Sequence, residues 1–275
     1  MFNIFKKEIS DVLITTTTGE LFIPTRVYYK IHNLHLFKKA LRKLKCIQFW
    51  EEDSNCFTIA YYKEAKKLNL TTHYQDVPKE LYPISLANCC IKTNSVLHMD
   101  SRSLTRSIEL INFLVKHIPS NLIEIISFAH MNKLLSVKDQ SECEGLLSQD
   151  YNALFDDVIC DEDHGLYDKI KSLDSSDDLT AEQINNLKSK ALEAAATFIE
   201  EEERNNYPDA EKFSIKYDRA NHRELICMLT LKAIVKEKVA YQHYKGYKDY
   251  TSLDAIEEMV NQTASNKPPD LSPNL

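Results

Sequence analysis

Glycine is scarce in this chain: 275 residues contain 4, at Gly19, Gly145, Gly165 and Gly246. Loops that cradle phosphates need several closely spaced glycines, so that backbone amides can approach the ligand. No such cluster exists, which argues against a Rossmann dinucleotide fold, a P-loop NTPase and a protein kinase. A G-x-S-x-G elbow is also missing, so an ordinary α/β-hydrolase is not expected. No apolar run approaches the roughly 18 residues of a membrane span. Paired cysteine motifs are absent too. The 7 cysteines (Cys46, Cys56, Cys89, Cys90, Cys143, Cys160 and Cys227) are odd in number and scattered, with no C-x-x-C. That usage reads as reduced thiols, several of them core fillers. The opening Met1-Phe-Asn-Ile-Phe-Lys-Lys7 is too quickly charged for a secretory leader, so the cytoplasm is the expected location.

What is present is the composition of a folded protein, with 43% hydrophobic and 27% charged residues. The length allows one large domain or two ordinary ones. A net charge of −7 conceals an asymmetry. Residues 1–133 hold 18 Lys+Arg and 12 Asp+Glu, leaving 16 and 29 for residues 134–275. A basic first part therefore precedes an acidic one.

The expected fold class is α+β, with a strand-rich first half and a mainly helical second half. Val12–Thr17 and Glu20–Ile23, turning at Thr18-Gly19, read as a β-hairpin. A helix capped by Asn33 is expected to about Lys45, then strands over Cys46–Glu51 and Cys56–Tyr62. Tyr82–Lys92 and Ser95–Asp100 form a second hairpin, followed by a helix from Ser103 to Ile118 and a strand over Leu122–Ala129. The order hairpin, helix, strand thus occurs twice. It points either to a diverged ββαβ duplication, an antiparallel sheet covered by helices, or to chance recurrence of a simple α+β unit.

Beyond residue 137 the chain becomes acidic. Short helical pieces near Tyr151–Ile159 and Leu166–Leu173 are followed by Thr180-Ala-Glu-Gln183, a capping box opening a long helix that ends at Asn205-Asn206. Further helices are expected over Ala220–His243 and from Ser252 to about Asn261. The domains so read are 1–137, an α+β sheet domain; 138–263, a helical acidic region; and 264–275, a disordered tail.

The clearest candidate surface lies at 34–45. On a helical wheel Lys38, Lys39, Arg42, Lys43 and Lys45 fill one arc with His35 inside it, and no acid interrupts them. Leu34, Leu36, Phe37, Ala40, Leu41 and Leu44 fill the other side. Such a face is either the solvated side of an amphipathic helix or a contact for an acidic protein or nucleic acid. The reading adopted is a non-enzymatic interaction protein that binds an acidic partner through this segment.

The alternative is a metal-dependent nuclease or phosphodiesterase. Asp53, then a strand, then Glu64-Ala65-Lys66 imitates an Asp…Glu-x-Lys arrangement, in which the acids hold Mg²⁺ and the lysine stabilises charge. Cys160-Asp-Glu-Asp-His164, with Asp156 and Asp157 upstream, fails the EF-hand spacing and reads as a solvated acidic loop. His98-x-Asp100 reads as the end of a strand. Glu200–Glu203 and the tyrosine-rich Tyr241–Tyr250 read as a solvated run and a core edge. No metal or other cofactor is expected.

Overall fold

The computed structural model describes residues 12–93, 95–137, 150–161, 180–205, 207–217 and 219–265. The chain is α+β. Its strands are β1 (Val12–Leu13), β2 (Thr25–Ile31), β3 (Ile47–Phe49), β4 (Cys56–Ala60), β5 (Ser85–Ile91), β6 (Val96–Ser101), β7 (Ile123–Met131), β8 (Ser136–Val137), β9 (Cys160–Asp161) and β10 (Ala210–Ser214). The helices are α1 (Leu34–Leu41), α2 (Leu104–His117), α3 (Tyr151–Phe155), α4 (Ala181–Asn205), α5 (His222–Tyr244) and α6 (Ser252–Ser265).

Eight strands make one sheet in the order β3-β4-β5-β6-β2-β7-β10-β9. All neighbours are antiparallel except β9, which joins β10 in parallel. β2 has the composition of a central strand, Thr-Arg-Val-Tyr-Tyr-Lys-Ile, rich in β-branched and aromatic residues. It lies between β6 and β7, so the passage β6–α2–β7 closes around it. The earlier passage β2–α1–β3 instead spans to the far edge of the sheet. The two halves of the proposed repeat are therefore closed differently.

One face of the sheet carries the core. Val27, Tyr29 and Ile31 of β2 are buried there with Leu97 and Met99 of β6, beneath Ile108, Ile111 and Leu114 of α2. Ser103 caps α2 by accepting from the Arg106 N–H at 3.0 Å. The helix is buried on much of its circumference, taking in Leu110, Phe113 and Arg106 as well.

The hairpin before β2 stands apart from this sheet. Thr15 bridges Leu21, and the segment's other pairing is β1 with β8. Its turn needs Gly19, at φ +89°, where a Cβ would meet Thr71 Cγ2 at 3.2 Å and Thr72 Oγ1 at 3.3 Å. Gly19→Ala is expected to cost about 1–2 kcal/mol, read as a lowered Tm. An unchanged melting curve would contradict that turn geometry.

Inside the hairpin an ion pair is sealed. Glu20 and Arg106 side chains are each 2% exposed, with Arg106 Nε 3.1 Å from Glu20 Oε2. Thr16 Oγ1 and Thr18 Oγ1 donate to the same oxygen, the latter at 2.6 Å, and the Thr71 N–H donates to Oε1 at 3.0 Å. Burial alone would raise the Glu20 carboxyl. The two hydroxyls, Arg106 and the Thr71 amide outweigh it and hold the carboxyl below its ordinary range.

Two compact units divide the described residues. The first holds the sheet, α1 to α3, and α5 as far as Ala233. The second holds α4, the remainder of α5 from Ile234, and α6. In the second unit Val235, Val239 and Ala255 form a small buried cluster with Tyr207, Tyr250 and Met259 against it. The expected capping box is present at Thr180, whose hydroxyl accepts from the Gln183 N–H at 3.3 Å. Thr251 and Asp254 cap α6 in the same reciprocal way. Glu203 is not a solvated charge: it accepts from Lys236 Nζ at 3.1 Å and from the Ser252 N–H at 2.6 Å. Gly246, at φ +101°, ends α5.

Candidate functional site

The basic segment is α1 and the turn after it. Asn33 Oδ1 accepts from the Leu36 N–H at 3.0 Å and starts the helix. Phe37 and Leu41 are fully buried and fix its orientation. At 100° per residue, the opposite side then carries His35, Lys39 and Leu36.

Helix α1 stops at Leu41, shorter than the sequence suggests. The Lys43 and Leu44 N–H groups bond back to the Ala40 and Leu41 carbonyls, three residues away, at 3.1 and 2.9 Å. This tighter turn lets the buried Cys46 lead into β3. Two assignments change as a result. Lys43 and Lys45 belong to the turn and not to a helical arc. Leu36, expected on the apolar side, is 44% exposed among the cations.

Two of the six basic positions are engaged within the chain. Lys38 Nζ donates to Asn55 Oδ1 at 2.8 Å, and the Arg42 guanidinium lies 5.6 Å from the Phe49 ring centre. His35, Lys39, Lys43 and Lys45 are exposed, and among the described residues no carboxylate pairs with them.

Asp53, Glu64 and Lys66 are each engaged with a different neighbour. Asp53 Oδ1 accepts from the Asn55 N–H at 2.8 Å. Glu64 Oε2 accepts from the Cys46 N–H at 3.1 Å. Its slight burial would raise the carboxyl, but the surrounding backbone amides hold it low. Lys66 Nζ sits 3.9 Å from the Tyr74 ring centre. Among the described residues no group of three His, Cys, Asp or Glu is placed to hold a metal ion. Of Cys160–His164, residues 162–164 lie outside the described residues, as does the helical piece expected at Leu166–Leu173.

The second polar feature is the outer face of the sheet, opposite α2. Pairing register puts Thr58, Asn88, Asp100 and Arg26 in one row, and Cys56, Cys90, His98 and Tyr28 in the next. Arg26, 2% exposed, grips Asp100 with Nε–Oδ1 at 2.6 Å and Nη2–Oδ2 at 2.9 Å, and its Nη1 reaches Asp156 at 3.1 Å. His98 packs edge-on against Tyr28. Burial and the neighbouring Arg26 and Lys92 push the His98 pKa down to about 4, so the imidazole is neutral near pH 7. Cys56 and Cys90 face each other across β4 and β5 and are joined by a disulfide. The expectation that every cysteine is a free thiol does not hold for this pair, because directly opposed strand positions bring the two sulfurs together.

No family model, curated protein or solved structure matches the chain. His98-x-Asp100 stands out in the sequence, whereas its setting does not. The signal was there: residues two apart on a strand share a face, and Arg26 alternates with Val27 in a strand otherwise suited to burial. Among the described residues no helix is long and apolar enough to cross a membrane.

Proposed function

We propose that the protein is a binding module that docks an acidic, partly apolar protein segment on α1 and the turn after it. The observation that carries this reading is the exposed Leu36 beside the unpaired His35 and Lys39, with Lys43 and Lys45 in the adjoining turn. A purely solvated basic face needs no leucine at 44% exposure. Nucleic acid is the weaker fit, since a leucine gains little from phosphates and α1 exposes no Phe, Tyr or Trp ring for base stacking. An acidic segment bearing a leucine or phenylalanine would satisfy both kinds of side chain.

The test uses fluorescence anisotropy with three labelled probes: a Glu/Asp peptide containing two leucines, the same peptide with serines in their place, and a single-stranded oligonucleotide. The leucine peptide should bind best, and Lys39→Glu/Lys43→Glu/Lys45→Glu should weaken it about tenfold or more, since each rim charge contributes about 0.2–1 kcal/mol and reversal adds repulsion. Leu36→Ser should erase the preference for leucine over serine. Equal binding of the two peptides, tighter binding of the oligonucleotide, or no effect of the triple variant with an unchanged circular dichroism spectrum would each overturn the reading.

A further inference from the structure

A trough of about 260 Å³ lies on the outer face of the sheet in the first unit, running along β5 and β6. Its middle offers no free cation. Arg26 is shared between Asp100 and Asp156, His98 is uncharged, and Cys90 of the disulfide is part of the floor. Its ends differ. Because β5 and β6 are antiparallel, Lys92, just after β5, and Arg102, just after β6, stand at opposite ends. Neither cation makes a side-chain hydrogen bond or salt bridge among the described residues, although Lys92 is near enough to Asp100 to favour its charged form. The carboxylate at the rim is Asp150, whose Oδ1 already accepts from the Asn152 N–H at 2.9 Å.

One side wall is the indole of Trp50, 42% exposed. Its Nε1–H donates to Thr58 Oγ1 at 3.0 Å, and the Thr58 hydroxyl donates in turn to Asn88 Oδ1 at 3.1 Å. This chain fixes the orientation of the ring and uses the Asn88 carbonyl, leaving the Asn88 NH₂ group to donate elsewhere. His98 Nδ1 is sealed from solvent, so the ring nitrogen that can face a guest in the trough is Nε2.

A rigid aromatic wall, two neutral groups that can read a polar edge, and unpaired cations at the ends describe one kind of guest. We infer that the trough binds a nucleoside monophosphate, its base stacked on Trp50 and edged by Asn88 and His98, its phosphate held by Arg102 or Lys92. Side-chain cations take the role that a glycine-rich loop would otherwise fill. Stacking on Trp50 is tolerant of base identity, whereas Asn88 and His98 introduce a preference. This site lies on different residues from the α1 surface, so the two readings stand or fall separately.

Trp50 is the only tryptophan in the chain, which makes its emission a direct reporter. The full-length protein would be titrated with AMP, UMP, adenosine and inorganic phosphate at low salt. AMP or UMP should quench Trp50 saturably, with adenosine and phosphate each about tenfold weaker or more, because each supplies half of the contacts. Arg102→Ala/Lys92→Ala should weaken the nucleotide about tenfold or more while leaving adenosine unchanged, and added salt should act in the same direction. Asn88→Ala should change the ratio of AMP to UMP affinity. Calorimetry on the native protein keeps the measurement possible if the indole signal proves insensitive. No saturable binding of either nucleotide by both methods would overturn the inference. So would equal affinity for adenosine and AMP, or binding unmoved by the Arg102/Lys92 variant.

Discussion

Arg106→Leu should lower the stability of the fold by about 3–5 kcal/mol, because it leaves Glu20 buried without its cation. The measurement is the urea midpoint at pH 7. Both side chains are 2% exposed, so water cannot replace the lost partner. The sign of the pH dependence identifies the cause. In the native protein Glu20 titrates below its ordinary value of 4.5, so its contribution is complete above 4.5 and is lost as the pH falls through the lower folded value. Without Arg106 the carboxyl loses one of the contributions that hold it low, and its folded value moves upward. The variant's deficit should therefore narrow as the pH falls through that higher value. A deficit that stays constant as the pH is lowered from 7 into the acid range would show that Glu20 is not the stranded charge. Adding Glu20→Leu to Arg106→Leu should recover much of the loss, since a buried pair replaced by apolar groups is often near neutral.

Phe37→Ala should cost about 3–5 kcal/mol, from lost transfer energy and the cavity left behind. The consequence is sharper than for an ordinary core residue. Helix α1 has 8 residues, well short of what holds together unaided, and Phe37 and Leu41 are its two fully buried side chains. Its ordering therefore depends on tertiary packing. Native-state hydrogen exchange should show α1 amides losing protection before those of β2 and β6, and binding of the leucine peptide should fall with them. Lys39→Ala, by contrast, should stay within about 0.5 kcal/mol of the native stability. If Phe37→Ala unfolds every element together without separate loss in α1, the helix is more tightly coupled to the sheet than its two anchors suggest.

Several elements in both halves were legible because their signals were local. Ser103 and Pro119 bracket α2, Thr180 and Gln183 open α4, and Gly246 closes α5; each is a short-range device with its own chemistry. Strand order was not legible. Nothing near Thr25–Ile31 says that β2 lies between β6 and β7, and nothing in Ala210–Ser214 marks it as a strand of that sheet. Its residues, Ala-Glu-Lys-Phe-Ser, are poor strand formers, and pairing with β7 overrides propensity. The basic segment was half legible. Its charge was plain, but the wheel assumed twelve residues of helix, and only burial of Phe37 and Leu41 shows that Leu36 faces outward. The trough was hidden for a related reason: Trp50, Asn88, His98 and Arg102 share a wall only after four strands are in register.

The central place of β2 also sets a timetable for making the protein. Its partners are β6 and β7, so a ribosome that has produced residue 31 must add about a hundred more before both edges of that strand are satisfied, and β10 arrives later still. During that interval a strand rich in Val, Tyr and Ile is without its neighbours, and closing such long loops is slow. Slowing translation after residue 31 should therefore raise aggregation more than slowing it after residue 214.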